Sequence, residues 1–413
     1  MNAVAASDRQ RTAIVTAGAE YTYRELAELV SDRSDELAGS VDPGDVVPVP
    51  VALDVASIIN ILAVTDAGGV VLPYIGNPPP VGDRAPDGDA YIIPTSGSTG
   101  EPRLVRITGA NIHHSVVASR ARLGTSANDR WLLCLPLNHV AGLSIVWRSL
   151  HAGGSVAVAP FSDGIGEFVH TARPTVASLV PTMVVRMIDR GIEALAGLRF
   201  VLVGGGALAS SVRDAASAGG VVAVPTYGMT EATSQVATAK VGVPSEPRAL
   251  DGVEISILDS DGRDVPDGAV GRIAIEGPSV SPGYLGEPSR TGRLLTSDVG
   301  RLDATGVLEV MGRVDDIVVS GGENVSLDHI AAVASTIDGV HDAVALGVED
   351  TEWGTAVVVV ATTNLGEQAL VAAAREVLPP HQRPRRWVTV AQLPLLSNGK
   401  VDRVAVRTIA GID

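Results

Sequence analysis

A hydroxyl-rich and glycine-rich loop, Thr95-Ser-Gly-Ser-Thr-Gly-Glu-Pro-Arg103, directly follows the strand-like run Tyr91-Ile-Ile. Its two glycines stand among four hydroxyl residues, and successive backbone N–H groups in such a loop can form a nest for an anion such as a polyphosphate. Arg103 closes the loop with a permanent positive charge. A solvated turn is the alternative. The loop is not a P-loop, because it lacks the lysine of that motif and its glycines are spaced differently.

A second glycine cluster, Val201-Leu-Val-Gly-Gly-Gly-Ala-Leu-Ala209, follows another predicted strand. Gly204, Gly206 and Ala209 satisfy the GxGxxA pattern of dinucleotide-binding folds. The next apolar run ends in Pro225-Thr226 and not in an acid that could hold a ribose. This ending weakens the dinucleotide interpretation and leaves tight packing of a strand on a helix as the alternative.

Three further polar clusters contain candidate ligands for a nucleotide. Thr230 and Glu231 end the cluster Thr226-Tyr-Gly-Met-Thr-Glu231 and offer hard oxygen ligands suited to Mg²⁺, although Thr-Glu also begins helices. Asp298 lies in a predicted turn, where its carboxylate could accept two hydroxyls or simply be solvated. Lys400, in Asn398-Gly-Lys400, is a point charge on a flexible loop that could reach an anionic centre.

The pattern of apolar residues predicts an α/β fold with a small C-terminal α+β domain. Thr22-Tyr-Arg-Glu25 is a capping box, and short apolar runs at 46–51, 70–74 and 91–93 predict buried strands between helices. Past Leu250 apolar and polar residues alternate, which indicates a strand-rich section. We predict a large domain over 1–313, and a small mobile domain over 314–413 with a helix near 328–337 and a strand at 356–361.

Composition excludes several classes of protein. The 413 residues include 31 basic and 47 acidic side chains, a formal charge of −16, which argues against nucleic-acid and anionic-membrane partners. Of the basic residues only Lys240 and Lys400 are lysines. The single cysteine, Cys134, excludes an internal disulfide and a cysteine-based zinc cluster, and its apolar neighbours predict a buried thiol. No signal peptide or membrane span is recognisable, so we expect a cytoplasmic protein.

Taken in order, these motifs resemble those of the adenylate-forming superfamily of acyl-CoA synthetases, nonribosomal adenylation domains and luciferases. The resemblance runs from Thr22 to Arg403 and includes Gly312-Arg-Val-Asp-Asp316 and Ser320-Gly-Gly-Glu-Asn-Val325. It departs from the family at Arg103-Leu104, where lysine and glycine are usual, and at Leu327 and His329, where proline and glutamate are usual. Arginine at 103 keeps the charge that a phosphate requires.

The resemblance implies ATP, Mg²⁺ and CoA as the small molecules bound, and it implies a role for each matched residue. The phosphate loop would be Thr95, Ser96, Gly97, Ser98, Thr99 and Gly100, with Arg103 beside it. The nucleotide would be held by Gly205, Gly206, Ala207, Thr226, Tyr227, Gly228, Met229, Asp298 and Arg313. The chemical step would depend on Thr230 and Glu231 at the α-phosphate and Mg²⁺, on Lys400, and on Asp315 as the hinge between domains. Gly321 and Gly322 would line the thiol tunnel.

The acyl side is similar to the o-succinylbenzoate–CoA ligase branch of the family, which serves menaquinone biosynthesis. On this resemblance the acid would lie near His139, Gly204, Ser234 and Gln235. The main hypothesis is therefore an ATP-dependent acid–CoA ligase that forms an acyl-adenylate and then a thioester. The alternatives are another aryl- or acyl-CoA ligase, a stand-alone adenylation enzyme that loads a carrier protein, and a catalytically inactive nucleotide-binding regulator. A homodimer is left open.

Overall fold

The computed structural model describes residues 9–95, 102–189, 197–206, 208, 210–242, 246–396 and 401–412. Helix α1 (Tyr23–Leu37) begins with the predicted capping box. The Glu25 backbone N–H donates to the Thr22 hydroxyl (3.2 Å), and the Thr22 backbone N–H donates to the Glu25 carboxylate (2.8 Å). Pairing these groups satisfies two donors that the first helical turn leaves without a partner.

The largest sheet has nine strands and carries the second glycine cluster. Its spatial order is β13 (Arg248–Ala249), β12 (Ser234–Thr238), β11 (Ala223–Met229), β10 (Phe200–Val203), β9 (Val176–Leu179), β7 (Arg130–Leu133), β8 (Ser155–Val158), β1 (Thr12–Val15) and β2 (Glu20–Thr22). The strands from β11 to β1 run parallel, and the pairs at both edges are antiparallel. Ligands in such sheets bind beyond the carboxyl ends of the parallel strands, where the glycine cluster follows β10.

Helices alternate with the parallel strands, as the α/β prediction requires. They are α3 (Gly109–Leu123), α4 (Val140–Ala152), α5 (Ile165–Ala172), α6 (Pro181–Asp189) and α7 (Ser210–Ala218). Helix α3 ends at Gly124, which has a left-handed φ of 61°. Glycine adopts that conformation at little cost, so the chain turns there into β7.

A second sheet carries the hydroxyl-rich loop. It consists, in spatial order, of β3 (Val46–Pro50), β4 (Val70–Tyr74), β5 (Asp89–Thr95) and β6 (Arg103–Thr108), with helix α2 (Val55–Asp66) between β3 and β4. The three apolar runs predicted as strands are thus confirmed. Strands β5 and β6 are antiparallel, and Thr95 lies opposite Arg103. Both ends of the loop therefore meet at one end of this sheet.

The strand-rich section is an antiparallel sheet of β14 (Glu254–Leu258), β15 (Gly271–Glu276), β16 (Leu294–Leu302) and β17 (Leu308–Arg313). The last unit is a sheet of β18 (Ile317–Ser320), β19 (Glu323–Ser326), β20 (Val340–Asp350), β21 (Gly354–Thr363) and β22 (Arg386–Val390), with helices α8 (Leu327–Ala334), α9 (Glu367–Val377) and α10 (Arg403–Ile409). Short 3₁₀ helices cover Thr230–Ala232, Val314–Asp316 and Pro380–Gln382. The predicted fold class is confirmed.

The two parts of the chain have separate apolar cores. The large core includes Trp131 and Phe200, whose rings meet edge to face at 6.2 Å. Residues of β19 to β22 form another core with α8 and α9. Cys134 is buried in the large core, as predicted, and burial raises the pKa of its thiol to about 12. No described helix is both long and apolar enough to cross a membrane.

Candidate active site

The glycine cluster after β10 lies against the next strand. A side chain on Gly204 would place its Cβ 2.8 Å from the Thr226 side chain, and Gly205 has a φ of 81° that favours glycine. The cluster therefore needs glycine for close approach to β11 and for its turn. Ala207 lies outside the described residues. Gly204, Gly205 and Gly206 remain predicted contacts of the nucleotide and the acid.

Strand β11 turns back into β12 through a tight bend that contains Thr230 and Glu231. Gly228 lies so close to β12 that a Cβ there would be 1.7 Å from the Ser234 carbonyl oxygen. Thr233 and Ser234 have φ values of 53° and 88°, which non-glycine residues rarely adopt. Such conformations persist only where the surroundings hold them and are concentrated at functional sites.

Buried hydrogen bonds hold this bend in place. The Thr233 hydroxyl donates to the Ser279 carbonyl (2.7 Å), and the Ser115 hydroxyl of α3 donates to the Thr233 carbonyl (2.7 Å). The Gln235 amide is also enclosed: it accepts from Ser119 (2.6 Å) and donates to the Thr238 hydroxyl (2.8 Å). The structure thus gives Gln235, a predicted substrate residue, a buried network of protein partners. Its predicted contact with the acid stays a prediction.

Two carboxylates near the nucleotide motifs each accept a hydrogen bond from a tyrosine. The Tyr227 hydroxyl donates to Asp298 Oδ2 at 2.6 Å, and the Tyr284 hydroxyl donates to Glu231 Oε1 at 2.9 Å. Burial, followed by the neighbouring carboxylate, raises the pKa of Tyr227 well above its usual range and that of Tyr284 to about 12. Both phenols therefore stay protonated and remain donors at neutral pH.

Asp298 lies within strand β16 and not in the turn that the sequence predicted, and the antiparallel pairing of β16 with β17 brings it next to Arg313. They are paired across β16 and β17, so the two predicted ribose-site residues lie side by side. The Asp298 backbone N–H also donates to the Thr296 hydroxyl at 3.0 Å. Tyr227 on β11 thus reaches the Asp298 carboxylate from the neighbouring sheet and orients one of its oxygens.

Arg103, at one end of the hydroxyl-rich loop, lies beside Tyr284, the tyrosine that donates a hydrogen bond to Glu231. The Arg103 guanidinium carbon lies 3.3 Å from the centre of the Tyr284 ring, and its nitrogen lies 3.1 Å from Glu287. The Thr95 hydroxyl donates to the Arg103 carbonyl at 3.1 Å. Ser96, Gly97, Ser98, Thr99 and Gly100 lie outside the described residues, so their predicted phosphate contacts stay predictions.

A buried arginine lies under the bend on the predicted acyl side. Arg148 of α4 is 3% exposed; its terminal nitrogen donates to the Ser234 hydroxyl at 3.0 Å, and its Nε has no partner. No ion pair with an acidic residue is found for it among the described residues. Burial lowers the pKa of Arg148 to about 9. Burying a cation is expensive where no counter-ion lies beside it.

The remaining predicted residues belong to other elements of the structure. His139 is the residue before α4, and Met229 is the last residue of β11. Gly321 and Gly322 form the β18–β19 turn with φ values of 60° and 86°. Asp315 belongs to the 3₁₀ helix before β18. Lys400 lies outside the described residues, and its role stays a prediction.

The donors present fit a magnesium ion that is shared with a nucleotide. Among the described residues no group of three or more His, Cys, Asp and Glu side chains could hold a metal ion. Mg²⁺ is commonly bound through one or two carboxylates together with substrate phosphates. Glu231, next to Thr230, provides one such carboxylate.

Two residues of the candidate site belong to no sequence motif. Tyr284 is one tyrosine in a loop, and Arg148 follows a tryptophan in an apolar helix. Only the folded chain brings them next to Glu231 and Ser234. The arginine did carry one signal, since it is a charged residue within the run Val140–Ala152 of mostly apolar and small residues.

The glycine turn, the strained bend and the two tyrosine-held carboxylates define a nucleotide-binding enzyme built on an α/β fold. Comparison with known families agrees: residues 74–285 match the AMP-binding enzyme family, and 329–400 match the AMP-binding enzyme C-terminal domain. The chain belongs to the AMP-binding enzyme family. It is an AMP-forming acid–CoA ligase that uses ATP and CoA.

Named relatives support this assignment, and solved structures share the fold. The chain is similar to a 2-succinylbenzoate–CoA ligase of Bacillus mycoides (32% identity, 77% of this chain and 69% of the relative) and to one of Lactococcus lactis (31%, 82% and 76%). Its fold is that of ATP-bound MatB from Rhodopseudomonas palustris (TM-score 0.87, 24% identity, 97% and 96% covered). It is also that of o-succinylbenzoate CoA synthetase (MenE) from Bacillus subtilis in complex with OSB-AMP (0.84, 24%, 98% and 96%).

Proposed function

We propose that this ligase acts on 2-succinylbenzoate, an aromatic keto acid with two carboxylates, and converts it to its CoA thioester. The names of the relatives point to this acid. The observation that carries the proposal is Arg148, a buried cation in contact with Ser234 on the predicted acyl side. An acid with a single carboxylate spends that group on adenylation. A second carboxylate is free to pair with the guanidinium.

The proposed first half-reaction forms an acyl-adenylate. One carboxylate oxygen of the acid attacks the α-phosphorus of ATP, the bond from that phosphorus to the bridging oxygen breaks, and pyrophosphate leaves. Lys400 would neutralise charge on the acid and the α-phosphate, and Thr230 would donate to an α-phosphate oxygen. When bound, Mg²⁺ supplies a further positive charge at the phosphates. Glu231 would hold it there, and Asp298 would accept the ribose hydroxyls.

The proposed second half-reaction transfers the acyl group to CoA. The thiol sulfur attacks the acyl carbonyl, the thiol proton is lost, and AMP leaves with the electrons of the broken C–O bond. Rotation of the 314–413 unit about Asp315 would replace Lys400 with the Gly321-Gly322 turn. Glycine there permits close approach of a pantetheine arm. The domain division and this hinge remain part of the proposal.

Turnover of matched acids tests the substrate assignment. The substrates are 2-succinylbenzoate, 3-benzoylpropionate, which lacks the ring carboxylate, and 2-butanoylbenzoate, which lacks the aliphatic one. Pyrophosphate release and CoA thioester are measured separately, so an enzyme that stops at the adenylate is recognised. We expect kcat/KM to be highest for the diacid. Equal turnover of the diacid and one monoacid would refute the role of a second carboxylate.

The variants Arg148→Met and Arg148→Lys separate charge from shape. Loss of a charge-assisted hydrogen bond is worth about 1.5–3 kcal/mol, so Arg148→Met should lower kcat/KM for 2-succinylbenzoate about 10- to 150-fold. The better monoacid should lose much less. Arg148→Lys keeps the charge and should retain part of the activity. A uniform loss for all three acids would mean that Arg148 supports the fold of the pocket and does not contact the substrate.

Location and assembly complete the proposal. We propose that the enzyme acts in the cytoplasm, where ATP and CoA are available, and subcellular fractionation tests this location. The homodimer stays a prediction. Light scattering on the purified chain would distinguish a mass of one chain, 42.3 kDa, from twice that value.

A further inference from the structure

The loop after β15 is hydrogen-bonded both to the bend that contains Glu231 and to strand β6. The Ser281 backbone N–H donates to the Glu231 carbonyl (2.9 Å), and the Leu285 backbone N–H donates to the Leu104 carbonyl (2.8 Å). The Ser281 hydroxyl is buried and donates to the Arg106 carbonyl (2.6 Å). The segment 281–285 thus connects the bend that contains Glu231 with β6, which begins at the end of the phosphate loop.

Tyr284 lies at the centre of this segment and contacts both motifs through its side chain. Its hydroxyl donates to Glu231 Oε1 at 2.9 Å, while the Arg103 guanidinium stacks on its ring at 3.3 Å. A planar guanidinium stacks well on an aromatic face, whereas a lysine ammonium lacks that flat contact. The arginine at position 103 is therefore matched to this ring.

We propose that Tyr284 is a positioning residue that orients the Glu231 carboxylate toward the metal–nucleotide complex and holds Arg103 at the mouth of the phosphate loop. The proposal rests on the proposed role of Glu231. The hydroxyl engages Oε1 and leaves Oε2 available to a metal ion.

Orientation of a metal-binding carboxylate through a hydrogen bond has a measurable signature. Partners of this kind change metal affinity without contacting the metal, typically about 10- to 100-fold when they are removed. Tyr284→Phe removes the hydroxyl and keeps the ring under Arg103. It should therefore weaken the metal-dependent part of nucleotide binding and leave the metal-free part unchanged. A residue that only supports the fold would weaken both parts together.

Calorimetric titration with the non-reacting analogue α,β-methylene-ATP measures both parts without turnover. Wild type, Tyr284→Phe and Glu231→Gln are titrated in Mg²⁺ and again in EDTA. We expect Tyr284→Phe to raise the Kd in Mg²⁺ about 10-fold and to leave the Kd in EDTA unchanged. Tyr21→Phe is the matched control, because Tyr21 lies on β2 at the opposite edge of the nine-stranded sheet, and it should behave as wild type.

The outcomes separate this inference from the function on which it rests. A wild-type Kd for Tyr284→Phe in Mg²⁺, with a loss for Glu231→Gln, would refute the positioning role and keep the metal role of Glu231. An equal loss in Mg²⁺ and in EDTA would also refute positioning. If Glu231→Gln itself binds the analogue in Mg²⁺ as wild type does, the role of Glu231 is wrong. Melting temperatures of both variants establish that each is folded at the titration temperature.

Discussion

Replacing Arg148 with methionine should raise the free energy of unfolding and lower kcat/KM for 2-succinylbenzoate. The guanidinium is 3% exposed, donates to the Ser234 hydroxyl, and leaves its Nε without a partner. Methionine has a similar length, is apolar and fills irregular space well. The substitution therefore removes a buried charge without opening a large cavity. Stability and activity are expected to change in opposite directions.

The magnitude follows from burial of the charge. A pKa lowered from 12.5 to about 9 corresponds to about 5 kcal/mol at roughly 1.4 kcal/mol per pKa unit. Because the folded-state pKa is the lower one, this cost is present in full below pH 9 and fades only as the pH rises toward 12.5. The lost hydrogen bond to Ser234 offsets about 1.5–3 kcal/mol. The expected net gain in the free energy of unfolding at neutral pH is about 2–3.5 kcal/mol.

The matched control is the same substitution at a buried arginine that has its counter-ion. Arg106 Nε lies 2.7 Å from Asp89, and both side chains are almost fully buried. Arg106→Met leaves that carboxylate alone and should destabilise the protein by about 3–5 kcal/mol. Urea unfolding at pH 7.5, followed by fluorescence, measures both variants. If Arg148→Met proves as destabilising as Arg106→Met, the argument that Arg148 awaits an anion from the substrate fails.

Three further predictions concern the nucleotide site and the pH dependence of stability. Gly228→Ala should abolish nucleotide binding, because its Cβ would lie 1.7 Å from a carbonyl oxygen of the facing strand; calorimetry against α,β-methylene-ATP checks this. Tyr227→Phe removes the 2.6 Å hydrogen bond to Asp298 and should raise the KM for ATP about 10-fold, because hydrogen bonds to charged groups contribute roughly 1.5–3 kcal/mol. Initial rates over a range of ATP concentrations measure this KM. Burial, followed by the nearby His113, lowers the pKa of His151. The folded protein should therefore lose stability as the pH drops below 6.5, because the unfolded chain then binds a proton more readily at this residue. Melting temperatures across pH 5–7.5 measure this loss, which should be absent in His151→Gln.

Local patterns in the sequence were sufficient to predict the elements of the fold. The capping box at Thr22 needs only neighbours three residues apart, and the alternating runs after Leu250 form the antiparallel sheet that they predict. Boundaries were less accurate, since α8 ends at Ala334, three residues before the predicted end. The turn that follows α8 has backbone hydrogen bonds at Ser335, Thr336 and Ile337, so periodicity alone could not distinguish it from helix.

Contacts between distant residues explain what sequence patterns missed at the site. Arg148 and Ser234 are 86 positions apart, and Glu231 and Tyr284 are 53 apart. No local pattern pairs such residues, because the pairing is created when helix α4 and the loop after β15 pack against the bend. Glycine and hydroxyl motifs could be found because their chemistry is local. The residues that orient them belong to the tertiary structure.

Tyr227 and Tyr284, which donate hydrogen bonds to Asp298 and Glu231, help an acidic chain to bind an anionic nucleotide. A chain with a formal charge of −16 must bind a nucleotide that is itself strongly anionic, and the proposed site includes two further carboxylates, Glu231 and Asp298. Each carboxylate accepts a hydrogen bond from a phenol whose pKa is raised by burial, so the donor cannot ionise and add to the repulsion. A lysine in either place would neutralise the carboxylate but would also compete with Mg²⁺ or the ribose for it. Tyrosine orients the acid and leaves its charge for the ligand.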